Sequence, residues 1–311
     1  MEKLMHVSSS PHIRTQMTTG RIMQVVLLSL LPASIYGIYH FGIRALYQIL
    51  VCMGICVLSE FVYEAFTERP IRVWDCSSLV TGLLLALTLP VSLPLWMSAL
   101  GSVFAIIVVK MLFGGLGQNI VNPALAARCF LMISFAGAMT DFTADGITGA
   151  TPLAVLKAGE AVDPWPLMIG NVGGTIGETS VIALLIGAII LLMFGIIDLR
   201  IPASYLLSFT VFCVLFGGHG FDGAYLSAQV CGGGLMLGAW FMATDYTTSP
   251  ITPGGKILYG VLLGVLIGVF RICGSSAEGV SYAILLGNLT VPLIEKITIP
   301  KAFGRRKGKH K

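Results

Sequence analysis

In the stretch Asp145-Gly-Ile-Thr148-Gly149-Ala150-Thr151-Pro, a threonine hydroxyl stands with almost no side-chain bulk before it. An enzyme could hold this strip as an extended strand and reach the oxygen of Thr151. Pro152 favours that geometry, because the residue before a proline is pushed out of the helical region. Asp145 supplies a recognition charge upstream. A threonine hydroxyl is a weak nucleophile until a base or metal activates it. No histidine neighbours Thr151 in the sequence, so any modification there is made by an outside enzyme. The same residues also read as an ordinary turn. Gly146 and Gly149 accept backbone angles that other residues avoid, and Asp145 and Thr148 can bond their own backbone.

A second polar group is "FGGLGQNIVNPAL". Asn119 and Asn122 are three residues apart and would share a face at a helix start. Each amide both donates and accepts, while Gly114, Gly115 and Gly117 would let a flat ligand approach the backbone. Asn122 before Pro123 is also the usual way to open a helix. Seven cysteines form no CxxC pair, and Cys52 with Cys56 offers too few ligands for a metal. No metal is expected. The ionisable groups in or near apolar segments are Glu60, Lys110, Arg128, Glu178, Arg271, Glu278 and Glu295. Most sit near expected helix ends, where snorkelling accounts for them; Glu60 and Arg128 are the less ordinary cases.

These groups are positioned by a chain that is 56% hydrophobic and 11% charged, with mean hydropathy +0.89. Soluble domains carry about 25% charged residues. The composition predicts an all-α polytopic membrane protein. Its net charge of +4 owes much to the tail "KAFGRRKGKHK", which follows an apolar helix. That placement suits a topological anchor and contact with lipid headgroups, not nucleic acid. The polar N-terminus lacks the apolar core of a signal peptide.

About ten apolar segments are expected, near 21–39, 44–66, 77–90, 94–112, 122–139, 178–197, 201–216, 226–243, 256–273 and 279–297. A full crossing takes roughly 20 residues, so 77–90, ending at Pro90, reads as a half-helix. Loop charge puts Lys3, Arg14, Arg21, Arg69, Arg72, Lys110, Arg200, Lys256 and the tail on one side, the cytoplasm. Arg44 and Arg271 are exceptions. The regions are then a cytoplasmic segment 1–20, a first transmembrane repeat 21–139, an extracytoplasmic loop 140–177, a second repeat 178–297 and a basic cytoplasmic tail 298–311. A duplication is suggested by two runs: Pro90, helix, Lys110, glycine turn, Asn122; and Pro253, helix, Arg271, glycine turn, Asn288. Five segments per half would invert the second half against the first, as in many transporters. Trp74, Trp96, Trp165 and Trp240 are candidate interface anchors. Gly260, Gly264 and Gly268, four apart, suit close helix packing.

"DGITGAT" resembles the D-x-x-[ST]-G-A-T signature of proteins that carry FMN as a phosphoester on the last threonine. Together with "SSLVTGLLLALTLP", "FGGLGQNIVNPALAAR", "FMATDYTTSP" and "AEGVSYAILLGN", it makes the chain similar to the NqrB/RnfD family, from about the first helix to the tail. The short N-terminal region fits the RnfD branch. The resemblance implies a 5+5 inverted repeat with half-helices, of the urea-transporter-like kind. It implies covalent FMN on Thr151, with Asp145, Thr148, Gly149 and Ala150 as the flavinylation motif. The transferase would be of the ApbE type. It implies a second, noncovalent riboflavin within the membrane, for which Asn119, Asn122, Gly114, Gly115 and Gly117 are the candidate contacts. The implied role is an electron-transfer subunit of a multisubunit ferredoxin:NAD oxidoreductase of a bacterial inner membrane, coupled to Na+ or H+ movement. The implied partners are RnfA, RnfB, RnfC, RnfE and RnfG. A small-solute channel or secondary transporter is the alternative, and a scaffold without redox work a further one. Neither needs a flavinylation motif.

Overall fold

The computed structural model describes residues 17–142, 152–157, 162–274 and 279–300, and among them there is no strand. The chain forms α1 (Thr19–Phe41), α2 (Ile43–Phe66), α3 (Ser77–Leu87) and α4 (Leu95–Val103), which continues as a π-helical stretch, Phe104–Met111. Next come α5 (Pro123–Ser134), α6 (Ala136–Met139), α7 (Pro152–Lys157) and α8 (Pro164–Ile169). The remainder is α9 (Val181–Met193), α10 (Arg200–Phe216), α11 (Gly223–Cys231), α12 (Leu235–Leu237) running into π-helical Gly238–Met242, α13 (Pro253–Ile272) and α14 (Val280–Thr298). Every expected apolar segment contains helix. Among the described residues, α1, α2, α13 and α14 are long and apolar enough to cross a membrane. The chain is a multi-pass membrane protein.

Local sequence fixes where these helices start. Thr18, Asn122, Asp163, Ser180, Asp222 and Thr252 each accept a backbone N–H from the first turn, the side-chain cap that satisfies an otherwise orphaned donor. Pro123, Pro164 and Pro253 stand just inside three of those starts, where a missing N–H costs nothing.

Small residues then let helix backbones meet. A Cβ on Gly260 or Gly264 of α13 would lie 1.9 Å from Ser204 Oγ or 2.0 Å from Ser208 Oγ of α10. On Gly268 it would lie 2.2 Å from the Phe212 ring. The glycine stripe therefore buries one face of α13 against α10, as its spacing predicts. Gly82 does the same for α3, whose added Cβ would strike Cys52 O of α2 at 2.8 Å.

Helix α3 is short yet almost wholly buried, so its free C-terminal carbonyls need partners. The loop ahead of α9 provides them: Gly177 N–H donates to Leu87 O (2.8 Å) and Ile176 N–H to Leu89 O (3.3 Å). Gln48 of α2 donates to Pro90 O at 3.1 Å. This is the condition under which a broken helix is tolerated inside a membrane protein.

Two expectations need correction. Lys110, Glu178 and Arg271 do not snorkel to a surface, and Arg128, already set apart with Glu60, is buried with them. Lys110 pairs with Glu60 at 2.7 Å, with side chains 2% and 6% exposed, and Arg128 pairs with Glu178 at 3.1 Å, with 6% and 5% exposed. Arg271 is buried too. Each is met by protein groups from a distant segment of the chain, which supply the partners that water would give at a surface. Trp240 is likewise buried and is no interface anchor, whereas Trp74, Trp96 and Trp165 are exposed.

Candidate functional site

A pocket of about 730 Å³, counting its open mouth, lies where the two halves of the chain meet. α1 contributes Met23 and Val26, α3 contributes Ser77, Thr81 and Leu84, and the end of the π-helical stretch contributes Lys110. Asn119, Asn122 and Pro123 form one polar wall, and the turn Thr244–Thr247 after the second π stretch forms another. Most of the remaining lining is apolar, including Leu191, Ile196 and Phe241. Such a site suits a flat, largely apolar ligand that is oriented by a few amides and hydroxyls.

Asn119 and Asn122 both line this pocket, but α5 begins only at Pro123, so Asn119 lies ahead of the helix and shares no helix face with Asn122. Asn122 Oδ1 accepts from Ala124 N–H (3.1 Å) and Leu125 N–H (3.4 Å), so it caps α5 and lines the pocket at once. Its own N–H donates to Asn288 Oδ1 (3.1 Å) once that amide is oriented to satisfy its neighbours; Asn288 then donates to Tyr259 Oη and Ile284 O. The two asparagines matched in the suggested duplication therefore touch. Asn119 Nδ2 donates to Thr247 Oγ1 (3.3 Å) and Val121 O (3.4 Å). Its Oδ1 is buried with no hydrogen-bond partner. A buried acceptor left unsatisfied needs an explanation, and a ligand donor in the pocket is one.

Gly114, Gly115 and Gly117 do not line the pocket. Their φ angles of +122°, +99° and +87° make the tight turn between the π stretch and Asn119, a conformation only glycine adopts readily. They act on the site by returning the chain to it.

Sequence reasoning missed Asp245, Thr247, Ser77 and Lys110 as members of this site. Asp245 Oδ2 accepts from Thr247 Oγ1 (2.9 Å) and Thr248 Oγ1 (3.4 Å), and Oδ1 accepts from Thr247 N–H (3.2 Å). The clue was present in "FMATDYTTSP", an aspartate followed by two hydroxyl residues in an apolar chain. Lys110 Nζ donates to Ser77 Oγ at 2.7 Å as well as to Glu60.

A second cleft, of about 620 Å³, is lined by Lys157, His219, Tyr225, Gln229 and Arg271 with Leu153 and Leu156. His219 stacks on Tyr225 with ring centroids 4.3 Å apart. Arg271 donates to Gly232 O and Gly233 O, both at 2.8 Å, and to Gln229 O. Lys157 donates to Gly274 O. This cleft is reached through α7, which begins one residue after Thr151. Asp145, Thr148, Gly149, Ala150 and Thr151 themselves lie outside the described residues, as does Glu278. Among the described residues no group of His, Cys, Asp and Glu could hold a metal.

Between α9 and α10, Asp198 accepts from Lys256 (3.1 Å) and Arg200 (3.3 Å). Partial burial opposes its ionisation, yet the Arg200 N–H and the Lys256 ammonium hold its carboxyl below the usual range.

Residues 6–304 match the family described as NQR2, RnfD, RnfE. The chain is 46% identical over 307 residues to the D subunit of the Na(+)-translocating ferredoxin:NAD(+) oxidoreductase complex of Acetobacterium woodii, covering 96% of this chain and 95% of that protein. It is 38% identical to the D subunit of the proton-translocating ferredoxin:NAD(+) oxidoreductase complex of Clostridium ljungdahlii, covering 97% and 96%. The D subunit of the ion-translocating oxidoreductase complex of Escherichia fergusonii is 35% identical, with 97% and 99% covered.

Proposed function

Because the chain belongs to the NQR2, RnfD, RnfE family, we propose that it is the D-type membrane subunit of an ion-translocating ferredoxin:NAD(+) oxidoreductase. The observation that carries this is the 46% identity to the D subunit of the Acetobacterium woodii complex along nearly the whole length of both proteins. The subunit relays electrons and does not catalyse the overall reaction alone. Relatives are named for sodium and for proton translocation, so the family permits either ion.

The covalent flavin is FMN on Thr151, attached by an ApbE-type transferase that recognises Asp145, Thr148, Gly149 and Ala150. The "DGITGAT" motif supports this. The noncovalent flavin is riboflavin in the Asn119 pocket. The unsatisfied Asn119 Oδ1, the Thr247 hydroxyl and the apolar walls suit the polar edge and flat face of its ring. When bound, a flavin takes up one or two electrons and so links unlike redox partners. This chain's part is to orient the ring with Asn119, Asn122 and Thr247 and to keep water from its faces. Partners are the other Rnf subunits, RnfA, RnfB, RnfC, RnfE and RnfG.

The fold is read as a 5+5 inverted repeat. Its support is the matched ends, Lys110 reaching Ser77 at the start of α3 and Arg271 reaching Gly232 and Gly233 just before α12. The Asn122–Asn288 contact supports it as well. Both termini are cytoplasmic and the 140–177 loop extracytoplasmic. Arg200 and Lys256, placed on one side by loop charge, share the carboxylate of Asp198.

Membrane vesicles test the role directly. NAD reduction by reduced ferredoxin, with ion uptake, should vanish when the gene for this chain is deleted and return with the wild-type chain. It should not return with Thr151→Ala. Full coupled activity in the deletion strain would refute the proposal.

A further inference from the structure

We propose that Lys110 sets how readily the ligand of the Asn119 pocket accepts electrons, with Glu60 as its counterweight. The inference rests on the reading of that pocket as a flavin site. Lys110 is 2% exposed to solvent, yet it lines the pocket. Its ammonium has three N–H donors. Two are taken by Glu60 Oε1 and Ser77 Oγ, each at 2.7 Å, which leaves the third for the pocket. Glu60 Oε2 is buried without a partner, and Glu60 is not part of the pocket wall. Buried polar groups are costly when left open. This pair leaves one oxygen and one N–H unused, with the cation on the pocket side.

Asp245 is the acidic residue on the wall, but its carboxylate is turned into its own loop by three donors from Thr247 and Thr248. Lys110 is therefore the charged residue of the pocket wall with a donor to spare. Reduction brings two electrons to a flavin ring and up to two protons from solvent. Whenever fewer protons than electrons arrive, negative charge stays on the ring. In a site of low dielectric a fixed cation stabilises that charge far more than it would in water. Charge placed near the ring is one of the protein's means of tuning the cofactor.

Two variants of the full chain separate tuning from packing, because tuning gives opposite signs. Both are made on a Thr151→Ala background in detergent, so that the pocket flavin is the only chromophore, and are titrated anaerobically with dithionite. Lys110→Met with Glu60→Gln removes both charges. It should lower the equilibrium constant for reduction about tenfold, ~59 mV for a one-electron step. Glu60→Gln alone leaves the cation unopposed and should raise that constant at least about threefold. Potentials unmoved in both variants, or shifted in the same direction, overturn the inference. Should the double variant lose its riboflavin, Glu60→Gln decides: an unmoved or lowered potential overturns the inference. Riboflavin released on denaturation is measured alongside. A parent chain that yields none refutes the pocket reading and this inference together, whereas riboflavin present with unmoved potentials refutes only the inference.

Discussion

Lys110 and Arg271 each end a long apolar helical stretch and each reach the approach to a short buried helix, yet opposite chemistry holds them. Lys110 sits on a carboxylate and a hydroxyl. Arg271 forks onto carbonyls of the break between α11 and α12 and lies 5.2 Å from the Phe209 ring. A guanidinium stays charged and spans several acceptors at fixed geometry, while an ammonium is a compact point charge. One site ties down a broken backbone, and the other sets a compact positive charge beside a cavity.

Arg271→Met should have the largest effect. It orphans the carbonyls of Gln229, Gly232 and Gly233, and at 1–3 kcal/mol per buried group the loss should reach about 5 kcal/mol. Arg271→Lys should recover only part, because one ammonium cannot span the set. Thermal unfolding in detergent reads both, and full recovery by lysine would remove the contrast. Lys110→Met alone strands Glu60 and should cost about 3–5 kcal/mol. Adding Glu60→Gln should recover most of it. Failure of that rescue would make Lys110 as structural as Arg271.

Within the pocket the two asparagines should separate in the same way. Asn122→Ala removes the cap of α5 and should cost about 1 kcal/mol. Asn119→Ala should change stability by less, about 0.5 kcal/mol, because it removes two long hydrogen bonds but also an unsatisfied buried oxygen, and it should deplete riboflavin. Equal stability losses with riboflavin retained in both would contradict the site. The smallest effect belongs to Asp198. Its lowered carboxyl contributes stability above the ordinary aspartate range, and that contribution fades as pH falls through its depressed value. The group is partly exposed, so Asp198→Asn should cost well under about 1 kcal/mol, measurable as a flattened stability profile below about pH 4.

Much of this was legible because membrane helices write themselves in long apolar runs. The starts at Asn122 and Thr252 and the glycine stripe on α13 follow from local residue types alone. What escaped were pairings between distant segments. Nothing near Lys110 in sequence announces Glu60, fifty residues away, and nothing near Arg128 announces Glu178. Asn119 was visible through its spacing to Asn122, but its partner Thr247 stands 128 residues on. Charges near helix ends read as snorkelling because sequence does not say what the helix end touches. The glycines of 114–117 were legible as turn residues and illegible as to whether they face the ligand.

The flavin inventory of the purified wild-type chain, from a host with a working transferase, decides whether the protein carries both flavins. Denaturation should release about one riboflavin per chain, and the washed chain should fluoresce, with the mass of FMN less one water on the peptide bearing Thr151. A dark, unmodified chain that releases no flavin would contradict the account.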